Sequence, residues 1–320
     1  MINFTRAFDS AWERMHVILF RSCNIEKWLA IGFSAFLAGF LQGGNGVNGI
    51  NNAFNNFNKT GNTQMPSFDL HQFDSGITSM FSGLQIGLVI FIGVMVFAVM
   101  IAFILVIYWL GARGQFMFLD NVVRNRGAIA WPWHYYARQA NNLFWFYLLI
   151  LLVSLIVILP IIAVAVAMCV PLYLHHRWPV GWEIGGFIVL GFLYVVVVVV
   201  LGFIISIFRD FGVPLMFRNG LMAREAFMKS LDLIQLHFGT IFIFVLLRFA
   251  LSLGLAVLSI IVCCMTCCIA LIPYVGTVIL LPALVYLRCF SLDCLAQFGP
   301  EYDVWTVDVP PAANPLPPPG

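Results

Sequence analysis

Charge is what this chain has least of. Asp, Glu, Lys and Arg make up 9% of its 320 residues, where a soluble domain carries about 25%. So few charges cannot cover a water-facing surface, which excludes an ordinary soluble domain. The net charge of +2 gives no basic surface for nucleic acid. Catalytic signatures are missing as well: no Gly-Lys-Ser/Thr phosphate loop, no His-Glu-x-x-His pair, no Gly-x-Ser-x-Gly elbow and no paired-carboxylate cluster. No catalytic, cofactor-binding or metal residue is therefore assigned, and the chain reads as a non-enzyme. The long apolar runs also contain no carboxylate, so no carboxylate proton relay is expected in them.

What remains is apolar: 62% of residues are hydrophobic, with mean hydropathy +0.97. A bilayer-crossing helix needs about 20 apolar residues. Six runs qualify, at about 28–47, 84–110, 143–170, 184–208, 238–262 and 269–287. The fourth contains an uninterrupted valine run, Val195 to Val200. In water that would read as a strand, but in hydrocarbon every backbone group needs an internal partner, so it must be helix. The first run is the weakest. It dissolves into Gln42, Gly43 and Gly44, and a signal peptide flanked by Arg21 and Lys27 is the alternative. The expected fold is an all-α, polytopic six-span bundle over about 1–303.

The few cations are unevenly placed. Thirteen of the 16 fall before the first run, between the second and third, between the fourth and fifth, or after the sixth. The alternate connections hold only Lys59 and Arg177, and Arg248 alone lies inside a run. Basic loops stay on the cytoplasmic side, so both termini are expected in the cytoplasm of a cell inner membrane. Trp28, Tyr108, Trp109, Trp145 and Tyr147 at one set of boundaries, and Tyr173, Trp178 and Trp182 at the other, fit interfacial belts.

Three basic segments, about 4–27, 111–142 and 210–237, each lead into an apolar hairpin. They align weakly through Ala7-Phe8-Asp9-Ser10-Ala11-Trp12, Ala128-Ile129-Ala130-Trp131-Pro132-Trp133 and Ala226-Phe227-Met228-Lys229-Ser230-Leu231. A threefold repeat of one interfacial helix and two spans is expected. An outer loop, about 42–80, is rich in Asn and Gly and reads as coil. Residues 304–320 end in Pro310-Pro311, Pro315 and Pro317-Pro318-Pro319. They read as a disordered cytoplasmic tail able to present an extended peptide to a protein partner.

Two features carry possible chemistry. Arg248 sits about ten residues into the fifth run, roughly 15 Å along a helix. An intramembrane cation marks a functional position by default; with no carboxylate in the runs, an anionic lipid head group or a backbone carbonyl is its expected partner. Cys263, Cys264, Cys267 and Cys268 cluster at the outer end of the same run. Three readings stay open: thiols packing between helices, a disulfide, for which Cys169 is a partner, or a soft-metal site for Zn or Cu(I). His175, His176 and Glu183 read as solvated loop residues.

At Ala226-Phe227-Met228-Lys229-Ser230-Leu231 and the following Phe238 to Leu247, the chain resembles uncharacterised bacterial six-helix integral membrane proteins. These are similar to the membrane domain of some glycerophosphodiester phosphodiesterases. The ending Phe290-Ser291-Leu292-Asp293 with Gln297-Phe298-Gly299-Pro300-Glu301-Tyr302 carries the same resemblance. It implies a bacterial inner membrane and an all-helical bundle, and transfers no catalytic residue. The expected function is a non-enzymatic membrane component that handles lipid or solute or organises a complex, with membrane lipids as partners and anionic head groups at the basic loops. A small-solute transporter is the first alternative and a membrane-embedded enzyme the second.

Overall fold

The computed structural model describes residues 3–21, 24–41, 83–174, 180–266 and 273–306, and among these all regular structure is helical. Eleven α-helices are found there: α1 (Phe4–Leu19), α2 (Ile25–Gly39), α3 (Gly83–Val123), α4 (Ala130–Tyr135), α5 (Ala137–Leu174), α6 (Gly181–Ile207), α7 (Val213–Asn219), α8 (Ala223–Leu236), α9 (Phe238–Met265), α10 (Pro273–Ile279) and α11 (Leu281–Ala296). A π-turn, Phe208–Gly212, joins α6 to α7. A short 3-10 turn, Val304–Thr306, follows α11.

Four helical stretches are long and apolar enough to cross a membrane: 90–123, 137–172, 181–219 and 238–265. Their most apolar windows are almost entirely unburied, with Phe103 on α3 65% exposed. Water cannot stably wet such a surface, whereas lipid can. The valine run is helical, inside α6.

The other two expected spans are not single long helices here. The first run corresponds to α2, only 15 residues long; its continuation and the Asn/Gly-rich loop lie outside the described residues. The sixth breaks into α10 and α11 at Leu280. Pro282 explains the break: it lacks an N–H and its ring displaces the carbonyl four residues back. That carbonyl, of Val278, accepts instead from the Trp28 indole at 3.2 Å.

The protein core lies at the basic ends of the long helices. Phe116, Phe208, Phe211 and Phe290 are fully buried there, in tilted and stacked ring contacts with Tyr136, Phe146, Phe244 and Phe8. Burial also explains why α3 does not stop at residue 110. Its continuation puts Ala112, Phe116, Leu119 and Val122 into this core. Two glycines permit the architecture. A Cβ on Gly114 would sit 2.5 Å from the Ala38 backbone nitrogen, so only glycine lets α3 pack this close to α2. Gly220, at φ +64°, ends α7 in the left-handed region that glycine adopts without penalty.

Parts of the three basic segments are separate short helices, α1, α4 and α8, while residues 111–123 of the second continue α3. Asn3 caps α1 by accepting from the Arg6 N–H, and the stripe Ala7, Ala11, Met15 and Ile18 is buried at helical spacing. The Pro-rich end is not disordered from residue 304 onward: Val304 is buried and Trp305 stacks on Arg14. Residues 307–320 lie outside the described residues.

Candidate functional site

The site forms where α6 changes its winding. Pro214 cannot donate to the Asp210 carbonyl and would clash with it in a regular α-helix. The ladder slips into the π-turn Phe208–Gly212, a widened geometry frequent at functional sites. The turn holds Asp210 in the interior, its side chain 2% exposed.

Three guanidiniums converge on that one carboxylate. Arg248 of α9 donates from Nε to Asp210 Oδ2 at 3.2 Å. Arg209 Nε lies 3.7 Å from Asp210 Oδ1, and Arg288 Nη1 of α11 lies 3.9 Å from the same oxygen. Arg288 is also pinned by donating to the Arg209 carbonyl at 3.2 Å. Tyr147 of α5 is buried beside the group, within electrostatic reach of Arg209, Arg288 and Asp210, and its hydroxyl donates to Gln115 Oε1 at 3.4 Å.

The sequence alone leads one to expect an anionic lipid head group or a backbone carbonyl beside Arg248; within the protein its partner is instead Asp210. Sequence reasoning missed it because Asp210 stands 38 positions away and just past the fourth apolar run. The signal was present: an Arg-Asp pair abutting a span, with proline four residues on. Arg209 and Arg288 were counted only as loop cations.

The charges do not balance. Three arginines face one aspartate, so the group carries a net charge of +2. Several polar atoms also lack a partner: Arg209 Nε, Arg248 Nη1, Arg288 Nε and Asp210 Oδ1 are buried without a hydrogen bond. Uncompensated buried cations are costly, and within a membrane they mark a functional position by default.

Arg209, Asp210 and Arg248 line the inner end of a cavity of about 480 Å³ between α6 and α9. Its other walls are apolar apart from Ser206 and Ser252, with Val199, Phe203, Phe242 and Phe249 prominent. Phe242, Leu246 and Phe249 are exposed at the rim, so the groove opens sideways on the apolar exterior.

Other charged groups have partners within the protein, although Arg113 Nε and Arg124 Nη1 are also buried without an acceptor. Asp120 is fully buried against Arg126 at 2.7 Å and Arg124 at 3.1 Å, and accepts from the Tyr136 hydroxyl at 3.3 Å. Arg113 lies between the Trp109 and Trp133 rings, 4.4 and 4.7 Å from their centroids. Burial lowers the proton affinity of Lys27, whose ammonium donates to the Ile18 carbonyl and to Asn125.

The thiol cluster is only partly described. Cys263 and Cys264 close α9, while Cys267 and Cys268 lie outside the described residues. Cys169 is an exposed free thiol, so the disulfide reading with it is not realised. Among the described residues no group of three or more His, Cys, Asp or Glu side chains is placed to hold a metal. Cys289 and Cys294 are buried, and burial pushes the Cys294 thiol up to about 12. Glu183 is buried rather than solvated, accepting from the Val180 N–H at the start of α6; His175 and His176 lie outside the described residues.

No curated protein and no solved structure matches the chain. The resemblance to the membrane domain of glycerophosphodiester phosphodiesterases finds no support in these comparisons. The match that does cover the chain spans residues 2–288, and by it the protein belongs to a family of unknown function (DUF7544).

Proposed function

We propose that this protein is a non-enzymatic lipid-handling component of a cell inner membrane, and that the groove between α6 and α9 receives an anionic lipid. One observation carries the reading: a buried cluster of net charge +2 sits at one end of an apolar groove whose rim is formed by exposed apolar side chains. A soluble ligand would have to pass that apolar rim, whereas a lipid already resides beside it.

The same reading includes six crossings with both termini cytoplasmic. The asymmetry of lysine and arginine supports the orientation. The short α2 and the broken α10–α11 pair would supply the two crossings beyond the four long helices. A threefold repeat of one interfacial helix and two spans, aligned through residues 7–12, 128–133 and 226–231, belongs to the same reading. The basic ends, including Arg113 between its two tryptophans, would meet anionic head groups of the cytoplasmic leaflet. The Pro-rich residues after 306 would be free to engage a protein partner.

The test is retention of anionic lipid after purification and reconstitution into vesicles of mixed anionic and zwitterionic lipid. Losing a charge-assisted contact costs about 1.5–3 kcal/mol, so Arg248→Leu should lower retention about tenfold or more. Unchanged retention in a folded variant would remove Arg248 from recognition. Solute flux above that of empty vesicles would instead favour the transporter reading.

A further inference from the structure

We infer that the lipid taken by this groove carries a phosphomonoester head, a dianion, in preference to phosphodiester and zwitterionic lipids. The inference rests on the lipid-binding reading above and narrows it to a chemical class. Charge supplies the first argument. Arg209, Arg248 and Arg288 against Asp210 leave two positive charges uncompensated, in surroundings where the solvent does little screening. A phosphomonoester carries about −1.5 to −2 near pH 7 and brings the group close to neutrality. A phosphodiester leaves one charge over and a zwitterion leaves both.

Donor geometry supplies the second. Arg248 spends Nε on Asp210, which fixes the guanidinium, while the side chain as a whole keeps 13% of its surface open. Arg209 keeps 16% of its side chain open, and both arginines line the groove. Guanidinium forks match the oxygens of a phosphate, and a terminal phosphate offers three of them. Asp210 is thus a positioning residue that aims Arg248.

The walls supply the third. Beyond the charged end, the polar groups lining the groove are the hydroxyls of Ser206 and Ser252. Ser206 already accepts from Arg209 Nη2 and Ser252 donates to the Arg248 carbonyl. A glycerol, sugar or amine beyond the phosphate would meet Phe203, Phe242 and Phe249 and lose its hydrogen bonds to water. A bare phosphate adds no polar group beyond itself, and the glycerol esters and chains that it shares with other phospholipids run out along those same rings.

The experiment loads the protein into phosphatidylcholine nanodiscs doped equally with phosphatidic acid or phosphatidylglycerol, then measures retained lipid by mass spectrometry after detergent washing. Wild type should retain phosphatidic acid over phosphatidylglycerol by about tenfold. Arg209→Gln and Arg248→Gln, checked for native helicity and monodispersity, should erase that preference, and Arg248→Lys should keep part of it. Inorganic phosphate at millimolar concentration should displace none of it. Equal retention of the two lipids by wild type would overturn the dianion preference while leaving anionic-lipid binding intact. Retention of neither would overturn the reading beneath it. Displacement by inorganic phosphate would make the ligand a soluble anion and overturn the lipid assignment.

Discussion

Arg14 on the first helix reaches Asp293 on the last: Nε lies 3.2 Å from Oδ1, and the guanidinium stacks on the Trp305 ring at 3.9 Å. Burial raises the proton affinity of Asp293, and the opposing pull of Arg14 is the weaker effect, since Arg14 is 39% exposed and screened by water. A carboxyl that binds its proton more tightly in the fold than in the unfolded chain favours the fold below its ordinary value of 3.8. That advantage is lost as pH rises from there through the raised value. Melting temperature in detergent should therefore fall with rising pH across this window. Asp293→Asn should flatten the slope; an identical slope in the variant would remove Asp293 as its source.

Asp120 holds two arginines and a tyrosine at once. Removing one partner of a buried ion pair costs about 3–5 kcal/mol because the other charge is stranded. Asp120→Ala should lose stability on that scale, measured by denaturant or thermal unfolding. Arg126→Gln should lose less, because Arg126 is partly exposed and Arg124 stays in place. Equal losses would mean that the carboxylate is not the centre of the cluster.

Gly114 meets the backbone of α2, which cannot swing aside as a side-chain tip can. Gly114→Ala should destabilise by about 1–3 kcal/mol through overpacking. Gly93→Ala, on the same helix with open space around it, should be neutral or slightly stabilising. Matching melting temperatures for the two variants would refute the close contact.

Orientation has its own test. A reporter fused after Gly320 should be active only in its cytoplasmic form, and outer activity would reverse the topology drawn from the cation count. The broken sixth run is the sensitive point, because it determines on which side the chain emerges after α11.

The parts of this architecture that lipid dictates were legible in the sequence, and the parts that protein contacts dictate were not. Hydropathy locates α3, α5, α6 and α9 because hydrocarbon acts on each helix separately. It misplaces the end of α3, since Ala112 to Val122 are held helical by burial in the core rather than by lipid. It also fails at Pro282, whose effect depends on Trp28 reaching Val278 from a distant helix. Arg248 was identifiable as a costly buried charge. Its partner was not, because nothing local brings α9, α11 and the π-turn together. That juxtaposition comes from the packing of aromatic rings such as Phe211 on Phe244 and Phe244 on Phe290.

Gln297 near the end of α11 accepts from the backbone N–H of Asn3 at 2.7 Å and donates to the Asn3 carbonyl at 3.2 Å. A ribosome makes these two partners almost three hundred residues apart in order. α1 must therefore wait, its apolar stripe not yet covered by α11, until that helix has been made. Closure of α11 on α1 is then one clasping step, and a chain cut short before α11 is left with that stripe uncovered.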